Sequence, residues 1–187
     1  MPNELIATGR VESLCLNGEA TEKIWFDLHG PRGDSHSGFS RKLSGHDGVY
    51  RRTSALEKGH PVFNWRTWTA LAREEIIQFE ESLGVTIPQG CLLENLTLTG
   101  IPNLSKLPPT SRLVFPVRDG QQTILAVWEE NSPCHLVGQR LADHYGDPDL
   151  KKRLIAEAQD KRGVMGLVLS EGRVEVGDEV QVFPPVQ

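Results

Sequence analysis

The stretch Val164-Met165-Gly166-Leu167-Val168-Leu169-Ser170-Glu171-Gly172-Arg173-Val174-Glu175-Val176-Gly177-Asp178-Glu179-Val180-Gln181-Val182 decides the fold. Its short apolar runs are rich in β-branched valine, and Glu171-Gly172 and Gly177-Asp178 separate them with residues suited to tight turns. Val174 and Val176, then Val180 and Val182, alternate with polar residues at the period of a half-buried strand. Strands this short, joined in series, leave exposed edges unless the sheet closes on itself. The stretch therefore predicts a closed or partly closed small β-barrel.

Working back from this ending, Leu113 to Val117 and Thr123 to Trp128 flank Arg118-Asp119-Gly120-Gln121, a hairpin whose Asp-Gly suits a primed turn. Val11 to Leu16 reads as a strand and Asn17-Gly18 as a turn. Ile24, Phe26 and Leu28 then alternate with Trp25 and Asp27 as one buried face. Cys91 to Leu98 reads as a further strand with Leu92, Glu94, Leu96 and Leu98 on one face. Three helices are predicted between the strands. Arg73 to Leu83 ends at Gly84, with Glu74, Glu75, Glu80 and Glu81 as its solvated face. A second helix opens at Ser132 as N-cap with Pro133 as its first residue, is made amphipathic by Leu136, Val137, Leu141 and Tyr145, and ends at Gly146. A third opens at Asp147-Pro148, buries Leu150, Leu154, Ile155 and Ala158, and ends at Gly163. The whole chain, 1–187, reads as one mainly β domain with about three peripheral helices.

A hydrophobic content of 38% and a charged content of 24% describe an ordinary globular protein. The net charge of -5 argues against nucleic acid as a partner. Three cysteines, Cys15, Cys91 and Cys134, with no C-x-x-C pair, fit a reducing compartment. The opening Met1-Pro2-Asn3-Glu4 lacks a basic segment, and no long apolar run follows. The expectation is a cytoplasmic protein with no membrane partner.

Two stretches stand out as chemistry. From Gly30 to Gly48, glycines alternate with Ser35, Ser37, Ser40, Ser44, His36 and His46, and the cations Arg41, Lys42, Arg51 and Arg52 follow or intervene. Cations beside glycines in an acidic protein suit a phosphate or another anion, although a solvated loop is the plain alternative. In Trp128-Glu129-Glu130-Asn131-Ser132-Pro133-Cys134-His135, the predicted cap places Cys134 in a first helical turn, where unpaired N–H groups favour a thiolate. Such a sulfur suits a soft metal or sulfur transfer, and a half-buried structural cysteine is the alternative. Glu94 among leucines needs a partner, in a backbone turn or in a site.

Taken together these motifs resemble the successive signatures of the MOSC domain, the C-terminal domain of molybdenum-cofactor sulfurases that also occurs as stand-alone bacterial proteins. The resemblance is carried by Gly33-Asp34-Ser35-His36-Ser37-Gly38 with Arg41, by Glu94-Asn95-Leu96-Thr97 with Gly100, and by Ser132-Pro133-Cys134. The ending, Arg162-Gly163-Val164 through Gly177-Asp178-Glu179-Val180, is similar too. Leu93 stands where the family carries a glycine, and Leu107-Pro108-Pro109-Thr110-Ser111-Arg112 replaces its usual glycine-aspartate turn. The resemblance implies a β-barrel that binds the molybdenum cofactor (molybdopterin). Cys134 would then be the catalytic residue, as a molybdenum ligand or as a persulfide sulfur carrier. The implied chemistry is reduction of N-hydroxylated compounds or sulfur transfer, with a small-molecule substrate, a sulfur donor or acceptor protein, or a redox partner. His36, Arg41, Lys42, Glu94, Asn95 and Thr97, with Arg112 and Arg162, are the implied cofactor contacts. No pyridoxal phosphate is expected on this chain.

Two other classes compete with that expectation. A metal-dependent hydrolase would draw on Asp34, His36, His46 and Asp47, whose spacing matches no zinc signature. A non-catalytic small-barrel binding module would leave Cys134 incidental.

Overall fold

The computed structural model describes residues 4–44 and 55–185. Its strands, in chain order, are β1 (Ala7–Leu16), β2 (Glu19–Thr21), β3 (Lys23–Asp27), β4 (Gly30–Pro31), β5 (Ser40–Lys42), β6 (Pro61–Phe63), β7 (Trp68–Ala72), β8 (Leu96–Thr99), β9 (Arg112–Arg118), β10 (Gln121–Glu130), β11 (Val164–Ser170), β12 (Gly172–Glu175) and β13 (Glu179–Phe183). Three α-helices accompany them among the described residues: α1 (Arg73–Leu83), α2 (His135–Tyr145) and α3 (Asp149–Glu157).

Seven strands close into the predicted barrel, in the order β1-β13-β9-β10-β11-β7-β8 and back to β1. Closure depends on the length of β1. Its first half, Ala7 to Arg10, pairs antiparallel with β13, and its second half, from Arg10 to Leu14, pairs with β8 across a register shift between Val11 and Ser13. One strand thus serves as both ends of the sheet, and no barrel edge stays open. The β9–β10 hairpin turns at Asp119 and Gly120, both at positive φ (52° and 76°), as a primed turn requires. Strand alternation then sends Leu113, Phe115, Leu125 and Val127 inward. They meet Phe26, Trp68, Val180 and Val182, all fully buried, and each large side chain so buried contributes roughly 2–3 kcal/mol.

The one parallel pair among the described residues, β7 with β8, needs a crossover, and α1 supplies it. Ile76, Phe79 and Leu83 of α1 build a second core with Val137 and Leu141 of α2 and Leu150 and Leu154 of α3. Gly84 closes α1 in the left-handed conformation, φ 71°, donating its N–H to the Glu80 carbonyl.

Four local expectations need correction. Cys91 to Asn95 is a turn and not strand, because Leu93 takes φ 58° and the ladder begins only at Leu96. That left-handed backbone is the reason a glycine suits this position, and Leu93 occupies it at a steric cost. Leu28 lies beyond the end of β3 and is exposed. Glu74, Glu75 and Glu80 do not form a solvated face: Glu75 is buried, Glu74 accepts from the Gly100 N–H at 2.7 Å, and Glu80 accepts from Arg73 and the Ile87 N–H. The third helix ends at Glu157, and Gly163 instead lies directly before β11. No helix among the described residues is long and apolar enough to cross a membrane.

Candidate functional site

The loop from Arg32 to Gly38 is built around one carboxylate. Asp34 Oδ1 accepts from the His36 N–H at 2.8 Å and from His36 Nδ1 at 3.0 Å. Its Oδ2 accepts from the Asn17 N–H at 3.1 Å and from Asn95 Nδ2 at 2.9 Å. Burial alone would raise this carboxyl, but hydrogen bonds led by those of His36 prevail and hold it at about 2. An ionised Asp34 can only accept, so His36 Nδ1 carries the proton towards it and the ring is locked in one tautomer.

Asn64 secures the other side of the loop. Its Nδ2 donates to the carbonyls of His36 (2.7 Å) and Gly38 (3.1 Å), while its Oδ1 accepts from the Arg66 N–H at 3.2 Å. The loop, β5 and this segment enclose a cavity of about 420 Å³ lined by Ser35, His36, Ser37, Ser40, Arg41, Lys42, Asn64 and Arg66. Three cations, an imidazole, hydroxyls and an amide face it, with no carboxylate in the lining among the described residues. The arrangement suits an anion carried on a polar molecule.

From this cavity the contacts lead to the cysteine loop. The Arg41 guanidinium lies 5.1 Å from the Trp65 ring centre, and the Trp65 and Trp128 rings are 5.9 Å apart. Trp65 Nε1 donates to Glu129 Oε1 at 3.3 Å, so the segment rests on the end of β10, from which the cysteine loop departs. Arg66 Nε donates to Met165 Sδ at 2.9 Å, on the strand that follows Arg162 and Gly163.

Cys134 is exposed. It is not in the first turn of a helix opened by Ser132 and Pro133. Cys134 itself is the N-cap of α2, with extended backbone (φ -125°, ψ 163°), and its side chain makes no cap hydrogen bond. The helix starts two residues later than expected because the carbonyl that receives the first turn, from the Gly138 N–H at 3.4 Å, belongs to Cys134. The other cysteines are buried, and burial pushes both thiols up to about 11. Only Cys134 is available to a reagent or a partner.

The structure brings His36, Arg41 and Lys42 together at the cavity. It places the remaining expected contacts elsewhere. Asn95 is buried and ties the Asp34 loop to β1 and β7, through Nδ2 to the Cys15 carbonyl (3.3 Å) and through Oδ1 from the Thr69 N–H (3.0 Å). Glu94 is buried, accepts from the Gly90 N–H at 2.6 Å, and is raised above the usual carboxylate range by that burial. With Thr97 it lines a different cavity, beside Glu12 and Arg73. Arg112 donates to the Pro184 carbonyl at 3.0 Å and lies over Phe183. Arg162 is buried behind the cysteine loop and donates to Asn131 Oδ1, to the Ser132 carbonyl and to the Leu92 carbonyl, each at 2.8 Å. Among the described residues no three His, Cys, Asp or Glu side chains gather as a metal site. His46 and Asp47, as well as Arg51 and Arg52, lie outside the described residues. Sequence reasoning missed Asn64 and Arg66. The signal was a polar pair around Trp65 directly before an apolar strand, with Asn64 placed to receive a backbone N–H two residues on.

Residues 59–181, about two thirds of the chain, match the model of the MOSC domain. The chain is 30% identical over 164 residues to YuaD of Bacillus subtilis (strain 168), a protein provisionally named for metal-sulfur cluster biosynthesis; the match covers 86% of this chain and 80% of that one. The crystal structure of the Bacillus subtilis YuaD protein superposes with a TM-score of 0.86 at 27% identity, over 96% of this chain and 97% of that one. YiiM from Geobacillus stearothermophilus shares the fold, with a TM-score of 0.52 at 16% identity over 97% of this chain and 75% of that one. With its seven-stranded barrel, its glycine-serine-histidine loop and its single exposed cysteine in family order, this chain belongs to the MOSC domain family.

Proposed function

We propose that the protein handles sulfur in connection with the molybdenum cofactor, with Cys134 as the carrier and the cationic cavity as the binding site. The exposure of Cys134 carries this reading: a thiol that must meet a donor and an acceptor in turn has to be reachable from outside, and the other two cysteines are not. The name of the Bacillus subtilis relative, which points to metal-sulfur chemistry, supports it.

The residues present fit the cofactor's chemistry. The cavity, about 420 Å³, is within the range of small-molecule sites. Arg41, Lys42 and Arg66 would hold the phosphate, while His36, Ser35 and Ser40 offer hydrogen bonds to a polar heterocycle. When bound, the cofactor supplies a redox-active molybdenum coordinated by dithiolene sulfurs. Asp34 keeps the His36 ring oriented, and Asn64 keeps the loop closed over the cavity.

In the carrier step the Cys134 sulfur attacks the outer sulfur of a donor persulfide. The donor's S–S bond breaks as the new S–S bond forms on Cys134, and the donor leaves as a thiol with the proton given up by Cys134. Atoms and electrons balance with no external oxidant. The donor is either a small persulfide or a protein that presents one.

A second reading has one observation in its favour: Arg66 lines the cavity and also donates to Met165 Sδ on β11, the strand that follows Arg162. In that reading one ligand occupies both places, the thiol binds molybdenum as a soft donor, and N-hydroxylated compounds are reduced. Metal and sulfur analysis of protein expressed in a molybdopterin-competent host tests both. A sulfur on Cys134 that a thiol reductant removes supports the carrier, whereas stoichiometric molybdenum lost in Cys134→Ser supports the ligand. Neither signal in the parent protein rejects the function proposed.

A further inference from the structure

Behind the cysteine loop runs a buried chain of hydrogen bonds joining segments that are remote in sequence. Arg162 Nη1 holds Asn131 Oδ1 and the Ser132 carbonyl, and Nη2 holds the Leu92 carbonyl. Asn131 donates its N–H to the Gly163 carbonyl at 3.0 Å. Gly163 donates its own N–H to Ser105 Oγ at 2.5 Å. Ser105 Oγ donates to Glu75 Oε2 at 3.0 Å, and the Ser105 N–H donates to Glu75 Oε1 at 3.1 Å. Glu75, Ser105, Asn131 and Arg162 are each 5% exposed or less.

With Glu75 ionised, the direction of each bond is forced. A serine hydroxyl has one hydrogen, and here it points to Glu75, which leaves its lone pairs for the Gly163 N–H. Gly163 is fixed as well: at φ 69° it is left-handed, and a side chain there would run into the Ala70 carbonyl. None of these residues lines the cationic cavity. Two nitrogens of Arg162 are committed to the loop and to Leu92, and its Nε is buried with no hydrogen-bond partner among the described residues. A cofactor contact would require a nitrogen that reaches the cavity. Both terminal nitrogens of this buried guanidinium are committed to carbonyl and amide oxygens, and taking them elsewhere would cost those bonds.

We propose that Arg162, backed by Ser105 and Glu75, is a positioning device for Cys134: it fixes the Asn131-Ser132 turn that carries the thiol and touches neither cofactor nor substrate. The inference rests on the reading that Cys134 is the working residue, and nothing in that reading assigns Ser105 or Glu75 a part. The turn has no regular secondary structure of its own, so its order comes from Arg162 and from the Asn131–Gly163 bond.

The test combines two readouts on the full chain with glutathione persulfide as the sulfur donor. The first is amide hydrogen exchange at Asn131 and Gly163. The second is the rate of sulfur loading on Cys134 against donor concentration. Losing one buried hydrogen bond costs roughly tenfold in local opening. Ser105→Ala and Arg162→Lys should therefore speed exchange at both amides about tenfold. They should also lower the maximal loading rate while the half-saturating donor concentration stays at the parent value. Glu75→Leu removes the acceptor of the Ser105 hydroxyl and should likewise speed exchange at Gly163. Parent exchange rates in folded Ser105→Ala and Arg162→Lys would overturn the proposal. Fast exchange in these variants with an unchanged maximal loading rate would overturn it equally, since the turn would then loosen without consequence for the thiol. If the parent protein accepts no sulfur, the carrier reading fails by itself, and the rate of Cys134 alkylation by iodoacetamide replaces loading: parent-like alkylation in both variants overturns positioning, and altered alkylation with fast exchange supports it.

Discussion

Asp34 and Asn95, 61 residues apart, share a hydrogen bond of 2.9 Å between Oδ2 and Nδ2. Through it the histidine loop is fastened to the turn before β8, and Asn95 in turn is fastened to Cys15 and Thr69. Two family motifs that look like separate cofactor contacts in the sequence are thus one structural knot, and only the His36 side of it faces the cavity.

The knot has a pH signature. Burial opposes the charge of Asp34, but the bonds from His36 and Asn17 hold its carboxyl at about 2, below the ordinary 3.8. A depressed carboxyl stabilises the fold above its unfolded value and loses that contribution as pH falls towards the folded value. Asp34→Asn should cost about 2 kcal/mol at pH 7, and the difference should shrink between about pH 4 and pH 2. Urea unfolding at a series of pH values checks both the sign and the window.

Glu75 behaves in the opposite sense. Burial raises it from 4.5 to about 7, although the bonds from Ser105 and the Ala72 N–H pull it down. The folded state therefore holds its proton more tightly than the unfolded chain. Its contribution to stability is full below about pH 4.5 and declines as pH rises to about 7. The change is on the order of 3 kcal/mol. Glu75→Gln should flatten the slope of unfolding free energy against pH across that window; an unchanged slope would show that Glu75 is not the group responsible.

Of this, the barrel was legible in the sequence and the site only in part. Valine alternation around Glu171-Gly172 and Gly177-Asp178 is a local signal, and so is the Asp119-Gly120 turn, because strand period and turn chemistry are properties of neighbouring residues. The glutamates of α1 misled for the complementary reason. Periodicity cannot reveal that Ser105 and Gly100, from the connection after β8, bring backbone N–H groups to Glu75 and Glu74. The same holds for Leu93, whose left-handed backbone is imposed by the turn around Gly90, and for Arg162, whose acceptors lie about 30 and 70 residues away.

Gly163 offers a test of the packing behind the cysteine loop. Gly163→Ala should destabilise the protein by roughly 3 kcal/mol or more. Both the positive φ and the clash with Ala70 act against it. Leu93→Gly should stay within about 1 kcal/mol of the parent, since relief of the left-handed backbone offsets the lost side chain. Thermal melts of both variants separate these cases.

The cavity predicts a salt-sensitive anion site. Lys42→Ala should leave the melting temperature unchanged and weaken binding of inorganic pyrophosphate about tenfold. Arg41→Ala should weaken it similarly and also cost about 1 kcal/mol of stability, because its guanidinium lies over Trp65. Tryptophan fluorescence reports the titration directly, and equal affinities in parent and variants would remove phosphate binding from the cavity.

The most direct test of the central claim is the mass of the alkylated peptide containing Cys134 after the protein meets a persulfide donor. The account predicts one added sulfur on Cys134, removed by a thiol reductant, with Cys15 and Cys91 unmodified and no addition in Cys134→Ser. A Cys134 peptide that gains no sulfur, or sulfur found equally on the buried cysteines, would contradict it.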